Sequence, residues 1–345
     1  MDYLLYLLDY VSFLAKTVTL IGGFLIIISA ISLAGKKAKK SNKGHLEIHK
    51  LNDHFQQMKD SFHHILMNKD QLKKLHKEEK KAKKEKSNDD TEVKPNVFVI
   101  DFQGDIKASA VTSLREEVTG ILGVATQHDE VIVRLESAGG LVHAYGLAAS
   151  QLCRIRSKGI KLTITVDKVA ASGGYMMACT ADKILAAPFA VVGSIGVMAQ
   201  LPNFNKVLKK NDVEFELHTA GEFKRTLTVF GENTETGREK FKQDIEDTHG
   251  LFKQFIRGNR DQVDIEKVAT GEIWYGQQAV DMKLVDELMT SDEYICQRSE
   301  HANIIRVAYI IKKNITEKFG MAAHSVIDTT LIKWWERLTT GRFFS

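Results

Sequence analysis

The 345-residue chain is 43% hydrophobic and 27% charged, enough apolar content for a sizeable core, which excludes a wholly disordered or fibrous protein. Only 3 prolines and an ordinary 24 glycines exclude collagen-like and proline-rich repeats, and three scattered cysteines (Cys153, Cys179, Cys296) in no C-x-x-C spacing argue against a disulfide framework or structural zinc. The net charge of +4 conceals an asymmetry: residues 35–86 hold 16 lysines against 7 acidic residues, a net +9, while everything from residue 87 onward is net −4, so the globular part lacks the basic face that a nucleic-acid partner requires.

Residues 17–35 (TVTLIGGFLIIISAISLAG) run for 19 positions without a charge. That is close to the roughly 20 residues a helix needs to cross the hydrocarbon core, and it predicts an N-terminal membrane anchor. A cleaved signal peptide is the weaker reading, because the preceding flank, DYLLYLLDY, is apolar and acidic rather than basic. Lys36, Lys37, Lys39, Lys40 and Lys43 follow the span while Asp2 and Asp9 precede it. The positive-inside rule then places the C-terminal bulk in the cytoplasm, with anionic membrane lipid as an expected partner.

Beyond the lysines, Ile48, Leu51, Phe55, Met58, Phe62, Ile65 and, past Lys69, Leu72 form a heptad-like stripe. A short self-associating coiled coil and a solvated spacer helix with one apolar face explain it equally well. His45 and His49 stand at i, i+4, but no third ligand is specified, so a solvated helix face is expected rather than a metal site. The run 77–95 (KEEKKAKKEKSNDDTEVKP) is charged, lacks apolar periodicity and is expected to be a linker.

After Pro95 short apolar strands alternate with amphipathic helices. Strands are predicted over 97–102, 130–135, 161–166, 184–187 and 213–218, with helices over 110–126, 144–156, a short one from Gly173, and 238–257. The stretch 184–201 is apolar enough to suggest a second span, but its glycine punctuation favours core strands. An α/β domain follows, with its chemistry expected at the carboxyl ends of the strands.

Two glycine-rich turns fall at such ends, Ser137-Ala138-Gly139-Gly140 and Ala171-Ser172-Gly173-Gly174-Tyr175. The first can present backbone N–H groups to a substrate that approaches the main chain closely. Ser172, between a strand and a small-residue helix, is either an N-cap or a nucleophile. As a nucleophile it needs a base, and no histidine lies between His143 and His218. A desolvated lysine is the other solution, and Lys224 in Gly221-Glu222-Phe223-Lys224-Arg225 is the candidate; its alternative is an ordinary exposed lysine.

These motifs, with Gly193-Ser194-Ile195-Gly196-Val197 and the run WYGQQAVDMKLVDE at 274–287, resemble the membrane-bound serine–lysine peptidases related to signal peptide peptidase A. The resemblance covers roughly residues 97–288 and includes the 52-residue separation between Ser172 and Lys224. It implies an α/β fold of the ClpP/crotonase type, a spiral of ββα units assembled into a homo-oligomeric ring, preceded by the transmembrane helix and a charged helical spacer. It further implies Ser172 as nucleophile, Lys224 as general base, Gly139 and Gly173 as oxyanion-hole donors, and Ser194 as the residue that orients the lysine amine. Neither cofactor nor metal is needed. In short members of the family the serine and lysine of one site can come from neighbouring subunits. Ala138 departs from the proline usual there, which leaves the oxyanion turn less rigid. The family's catalytic domain lies outside the cytoplasm, opposite to what the lysine flank indicates, so the membrane side stays open.

The expected organisation is an anchor over 1–35, a basic helical spacer and linker over 36–95, a peptidase domain over 96–295, and a C-terminal extension over 296–345. Within that extension, 326–338 reads as an amphipathic helix with Trp334 and Trp335, either at an interface or packed on its own domain. The expected activity is serine endopeptidase cleavage of unstructured apolar peptides, such as signal-peptide remnants or membrane-protein fragments, at the cell inner membrane. A non-catalytic membrane scaffold with a crotonase-like fold is the rival from another class. An acyl-CoA hydratase or isomerase is the rival of similar fold; it would want a carboxylate near the oxyanion turn, where this chain has Ser172.

Overall fold

A computed structural model describes residues 10–19, 21–23, 44–88 and 94–311. Of the predicted anchor, 17–19 and 21–23 are described and helical, and the remainder lies outside the described residues, as does the helix expected over 326–338. Among the described residues no helix is long and apolar enough to cross a membrane. The chain divides into two compact units, 1–45 with 310–345, and Leu46–Tyr309.

The second unit is an α/β body. Strand β1 (His45–Lys50) leads into helix α1 (Leu51–Leu66), and after a break at Met67 and Asn68 helix α2 (Lys69–Asn88) follows. The linker expected from residue 77 is thus helical as far as Asn88, in keeping with the high helix propensity of its Lys, Glu and Ala residues. His45 and His49 lie on a strand, not on the helix face expected for them.

Three strand-to-helix alternations and a closing pair of strands then build the sheet: β2 (Asn96–Gly104), α3 (Val111–Leu122), β3 (Glu130–Ser137), α4 (Val142–Ser157), β4 (Lys161–Val166), the short β5 (Val169–Ala171), α5 (Gly173–Ala178), β6 (Lys183–Ala186) and the short β7 (Val191–Gly193). The chain continues through α6 (Asn205–Lys210), α7 (Glu235–Asn259), α8 (Ile265–Val268), β8 (Ile273–Tyr275), α9 (Gly276–Asp281), β9 (Glu287–Leu288), α10 (Ser291–Ser299) and β10 (Asn303–Ile310).

Along the sheet the order is β1-β10-β2-β3-β4-β6-β9, and from β10 to β9 every pair is parallel. Parallel strands covered on both faces read as continuous apolar runs. In β2, Phe98, Ile100 and Phe102 join the larger core with α3, α4 and α5, while Val97 and Val99 face a second core containing Tyr294, Ile295 and Ile304, against which Leu51 and Phe55 of α1 pack. β10 sits between β1 and β2, so the body extends past the boundary expected at 295.

Two short strands leave the main sheet. β5 pairs with the last residue of β3, Ser137 opposite Ala170, and β7 pairs parallel to β5 and antiparallel to β8. This side layer carries the site. The strand expected over 213–218 is not formed; Val213, Phe215 and Leu217 lie exposed in irregular chain.

Candidate active site

Ser172 is the single residue between β5 and α5. It occupies the N-cap position, but with φ 52° and ψ −118°, and its side chain makes no capping hydrogen bond. An N-cap ordinarily has extended backbone and a side chain that accepts from the first helical turn. Ser172 does neither, so the capping explanation of this serine fails. Its N–H donates to the Gly193 carbonyl at 2.8 Å, extending the β5–β7 ladder by one step and holding the turn from the backbone side. The hydroxyl makes no hydrogen bond among the described residues. A serine on a sharp, strained strand-to-helix turn has its oxygen presented outward for attack.

Ser194 follows directly on the carbonyl that holds Ser172. It too has a positive φ, 50°, and its N–H donates to Glu272 at 2.6 Å. Gly193, at φ 96°, leaves no room for a side chain: a Cβ there would lie 2.6 Å from the Trp274 ring. Trp274 and β8 thereby brace the turn that places Ser194 beside Ser172, a role that sequence reasoning did not assign to Trp274.

Gly139 and Gly173 meet at the same point. A Cβ on Gly139, whose φ is 90°, would fall 2.6 Å from the Gly173 nitrogen and 2.8 Å from the Ser172 Cβ. The Gly173 N–H, first in α5, has no acceptor among the described residues. The Gly139 N–H does have one, the Ser137 hydroxyl, at 3.0 Å. Ser137 is also hydrogen-bonded to Tyr145 at 2.6 Å, and the Tyr145 hydroxyl donates to the Asp105 carbonyl at 2.7 Å. Leu141, just after the turn, donates its N–H to Ile106 at 2.8 Å. The loop after β2 thus anchors the loop after β3.

Lys224 makes no hydrogen bond to Ser172 among the described residues. It lies on an arm formed by 197–234, where it is exposed and makes neither ion pair nor side-chain hydrogen bond among the described residues. The arm exposes Met198, Phe204, Val207, Phe215, Phe223 and Phe230 to between 43% and 80%. The Phe230 ring packs with those of Phe204 and Phe215, with centroids 6.3 Å and 5.8 Å away, in a small apolar patch on the arm. His143 is exposed and makes no hydrogen bond to Ser172; His249 of α7 shares a hydrogen bond with the Ile195 carbonyl at 3.2 Å. Among the described residues no cluster of His, Cys, Asp and Glu could hold a metal ion.

Beneath the Ser172 turn, Tyr175 and Cys179 are fully buried. Burial pushes the Cys179 thiol and the Tyr175 phenol far up. Tyr175 donates to the Leu284 carbonyl at 3.0 Å, which ties α5 to the segment carrying Asp286, the partner of the buried Arg260.

Comparison with known proteins gives the class. Residues 5–152 match peptidase family S49 N-terminal, and residues 154–305 match peptidase family S49. A Haemophilus influenzae protein named Probable protease SohB is 49% identical over 329 residues, covering 92% of this chain and 93% of its own length. A protein of the same name from Buchnera aphidicola subsp. Schlechtendalia chinensis is 48% identical over 305 residues, 85% of this chain and 99% of that one. A solved mutant of the 1510-N membrane-bound stomatin-specific protease, in complex with a substrate peptide, aligns with a TM-score of 0.40 at 13% identity, over 66% of this chain and 97% of that chain. The molecule is therefore a protease. It belongs to peptidase family S49 and is similar over most of its length to the proteins called SohB.

Proposed function

We propose that the chain is a membrane-anchored serine endopeptidase with a ClpP/crotonase-like core, in which Ser172 attacks the scissile carbonyl and Lys224 is the general base. The observation that carries this reading is the backbone of Ser172: a strained N-cap serine with no capping bond, pressed against Gly139 and Gly173. Strain of this kind costs about 1–3 kcal/mol and persists where the surrounding structure requires it.

The neutral Lys224 amine takes the proton from Ser172 Oγ as the oxygen bonds to the carbonyl carbon. The Gly173 N–H, with the Gly139 turn beside it, stabilises the charge that develops on the carbonyl oxygen. Lysine then returns the proton to the departing amine, and water, activated by the same amine, hydrolyses the acyl-enzyme. Ser194 orients the lysine. A general-base lysine works in a site closed off from water, and Lys224 lies exposed on the arm. A second copy covering the apolar arm supplies that burial and brings its neighbour's Ser172 within reach, so the site is completed between subunits of a homo-oligomeric ring. The anchor holds the ring at the inner membrane, where unstructured apolar peptides, remnants of signal peptides and membrane proteins, are its substrates.

Labelling with a serine-directed fluorophosphonate tests this reading. The full chain should label, and Ser172→Ala and Lys224→Ala should not, with unchanged far-UV circular dichroism. Labelling of Ser172→Ala at the parent rate overturns the assignment.

A further inference from the structure

Three elements that build the nucleophile turn converge on one buried side chain. Tyr145 of α4 is fully buried. Its ring lies beneath Gly173, where an added Cβ would meet the ring carbons Cγ and Cδ2, and its hydroxyl lies against Gly104 at the end of β2. Ser137, 2% exposed at the end of β3, shares that crossing point, and Gly174 packs on its carbonyl. Glycine at 104, 173 and 174 is what lets the strands and α5 approach the pair this closely.

Proton counting sets the direction of the hydrogen bonds. A tyrosine hydroxyl has one proton, and that of Tyr145 goes to the Asp105 carbonyl, which can only accept. Ser137 must therefore donate to Tyr145, leaving its lone pairs to accept the Gly139 N–H. The result is a one-way chain, Gly139 N–H to Ser137 to Tyr145 to Asp105. Burial, reinforced by the Asp105 charge, raises the Tyr145 pKa, so the phenol keeps the proton that this direction requires.

We propose that Tyr145 is a positioning residue of the acyl-transfer site, acting through Ser137 to hold the Gly139 turn against Ser172 and Gly173. Ala138 imposes no ring constraint on φ and Gly139 sits at φ 90°; besides the Ser137 bond, the turn is held by the Leu141 N–H to Ile106 and by close packing of Gly140 on the Ile106 backbone. If Ser137 lets go of Gly139, the glycine is free to leave Ser172, and the geometry around the developing oxyanion goes with it. The proposal rests on the assignment of Ser172 as nucleophile.

The test compares the full chain with Tyr145→Phe, Ser137→Ala, their double variant, and Ser172→Ala as control. Each preparation is titrated with fluorophosphonate, so that kcat on an unstructured fluorogenic peptide refers to competent sites alone, and Ki is measured for a peptide aldehyde that forms a tetrahedral adduct. Tyr145→Phe keeps the ring under Gly173 and removes only the hydroxyl. Both single variants should lose about 10–100-fold in kcat per titrated site with KM nearly constant, because the interaction concerns the transition state. The aldehyde Ki should rise by the same factor, and the double variant should be no worse than the poorer single one, since both cut one chain. A merely structural role would lower the number of titratable sites and leave kcat per site unchanged. Wild-type kcat per site, a loss confined to KM, or multiplicative losses in the double variant overturn the proposal while leaving an inactive Ser172→Ala intact. An active Ser172→Ala removes both the nucleophile assignment and the proposal.

Discussion

Removing either member of the Arg260–Asp286 ion pair, which lies next to α5, should have unequal consequences. Arg260, at the end of α7, is 2% exposed; its guanidinium donates to both Asp286 oxygens at 2.9 Å and to the Lys283 carbonyl at 3.0 Å. Asp286 is 30% exposed and also accepts the Ile184 N–H at 2.6 Å. Burial opposes the charge on Arg260, and the Asp286 bonds more than offset this, leaving its pKa raised. Asp286→Ala leaves the 2%-exposed guanidinium without its carboxylate partner, a loss of about 3–5 kcal/mol. Arg260→Met replaces the cation with a flexible apolar chain, and the remaining carboxylate keeps both a backbone donor and contact with solvent. Its loss should be about 1–2 kcal/mol. The double variant buries no unpaired charge and should recover about 2 kcal/mol relative to Asp286→Ala. Urea unfolding of all four proteins at pH 7, followed by far-UV circular dichroism, reads the differences. Equal losses from the single changes, or a double variant less stable than Asp286→Ala, would refute the claim that desolvation of the guanidinium dominates here.

Glu117 of α3 carries a pH dependence. Burial, aided by the Asp101 charge and opposed by the Tyr309 N–H, moves its pKa from 4.5 up to about 7. The folded chain therefore holds this proton more tightly than the unfolded one, so full stability below about pH 4.5 is lost progressively as the pH rises to about 7, by roughly 3 kcal/mol in all. Glu117→Gln retains an acceptor for Tyr309, and its stability advantage should widen between pH 5 and pH 8; a gap independent of pH contradicts the assignment. Lys224→Arg should be as inactive as Lys224→Ala in peptide hydrolysis, because a guanidinium does not give up its proton at working pH. Substantial activity in Lys224→Arg places the base elsewhere. On peptide libraries, unstructured apolar sequences with small or aliphatic residues before the scissile bond should be cut faster than folded soluble proteins; equal rates on compact native proteins count against an extended bound substrate.

What could be read from the sequence follows from where the physical cause is local. β2, β3 and β4 were legible because strands buried on both faces leave uninterrupted apolar runs, as in VFVI at 97–100 and VIV at 131–133. The alternation of Val213, Phe215 and Leu217 is equally regular, yet it marks only a face that wants cover, and no neighbouring strand supplies it within the body. β1 merged into the helical stripe because Ile48 happens to continue the three- and four-residue spacing of α1. Its place is set from late in the chain: it pairs with β10, and just beyond it Asn52 of α1 accepts from the Ile304 N–H across 252 residues. At the site, Ser172 and Gly139 stood out through their glycine neighbours. Tyr145 did not, because a buried tyrosine on an apolar helix face reads as core until its hydroxyl partners, Ser137 and Asp105, are seen.

The strain at Ser172 makes its two smallest replacements unequal. Alanine removes the hydroxyl but keeps the Cβ, and with it the disfavoured φ of 52°. Glycine removes both, and the backbone relaxes by about 1–3 kcal/mol. Ser172→Gly is thus expected to outlast its parent on heating while being as inactive as Ser172→Ala, so under the proposed mechanism chemistry and durability draw on the same residue in opposite directions. For capturing a bound peptide the alanine form is the better choice, because a turn that has relaxed no longer presents the geometry the peptide was meant to meet.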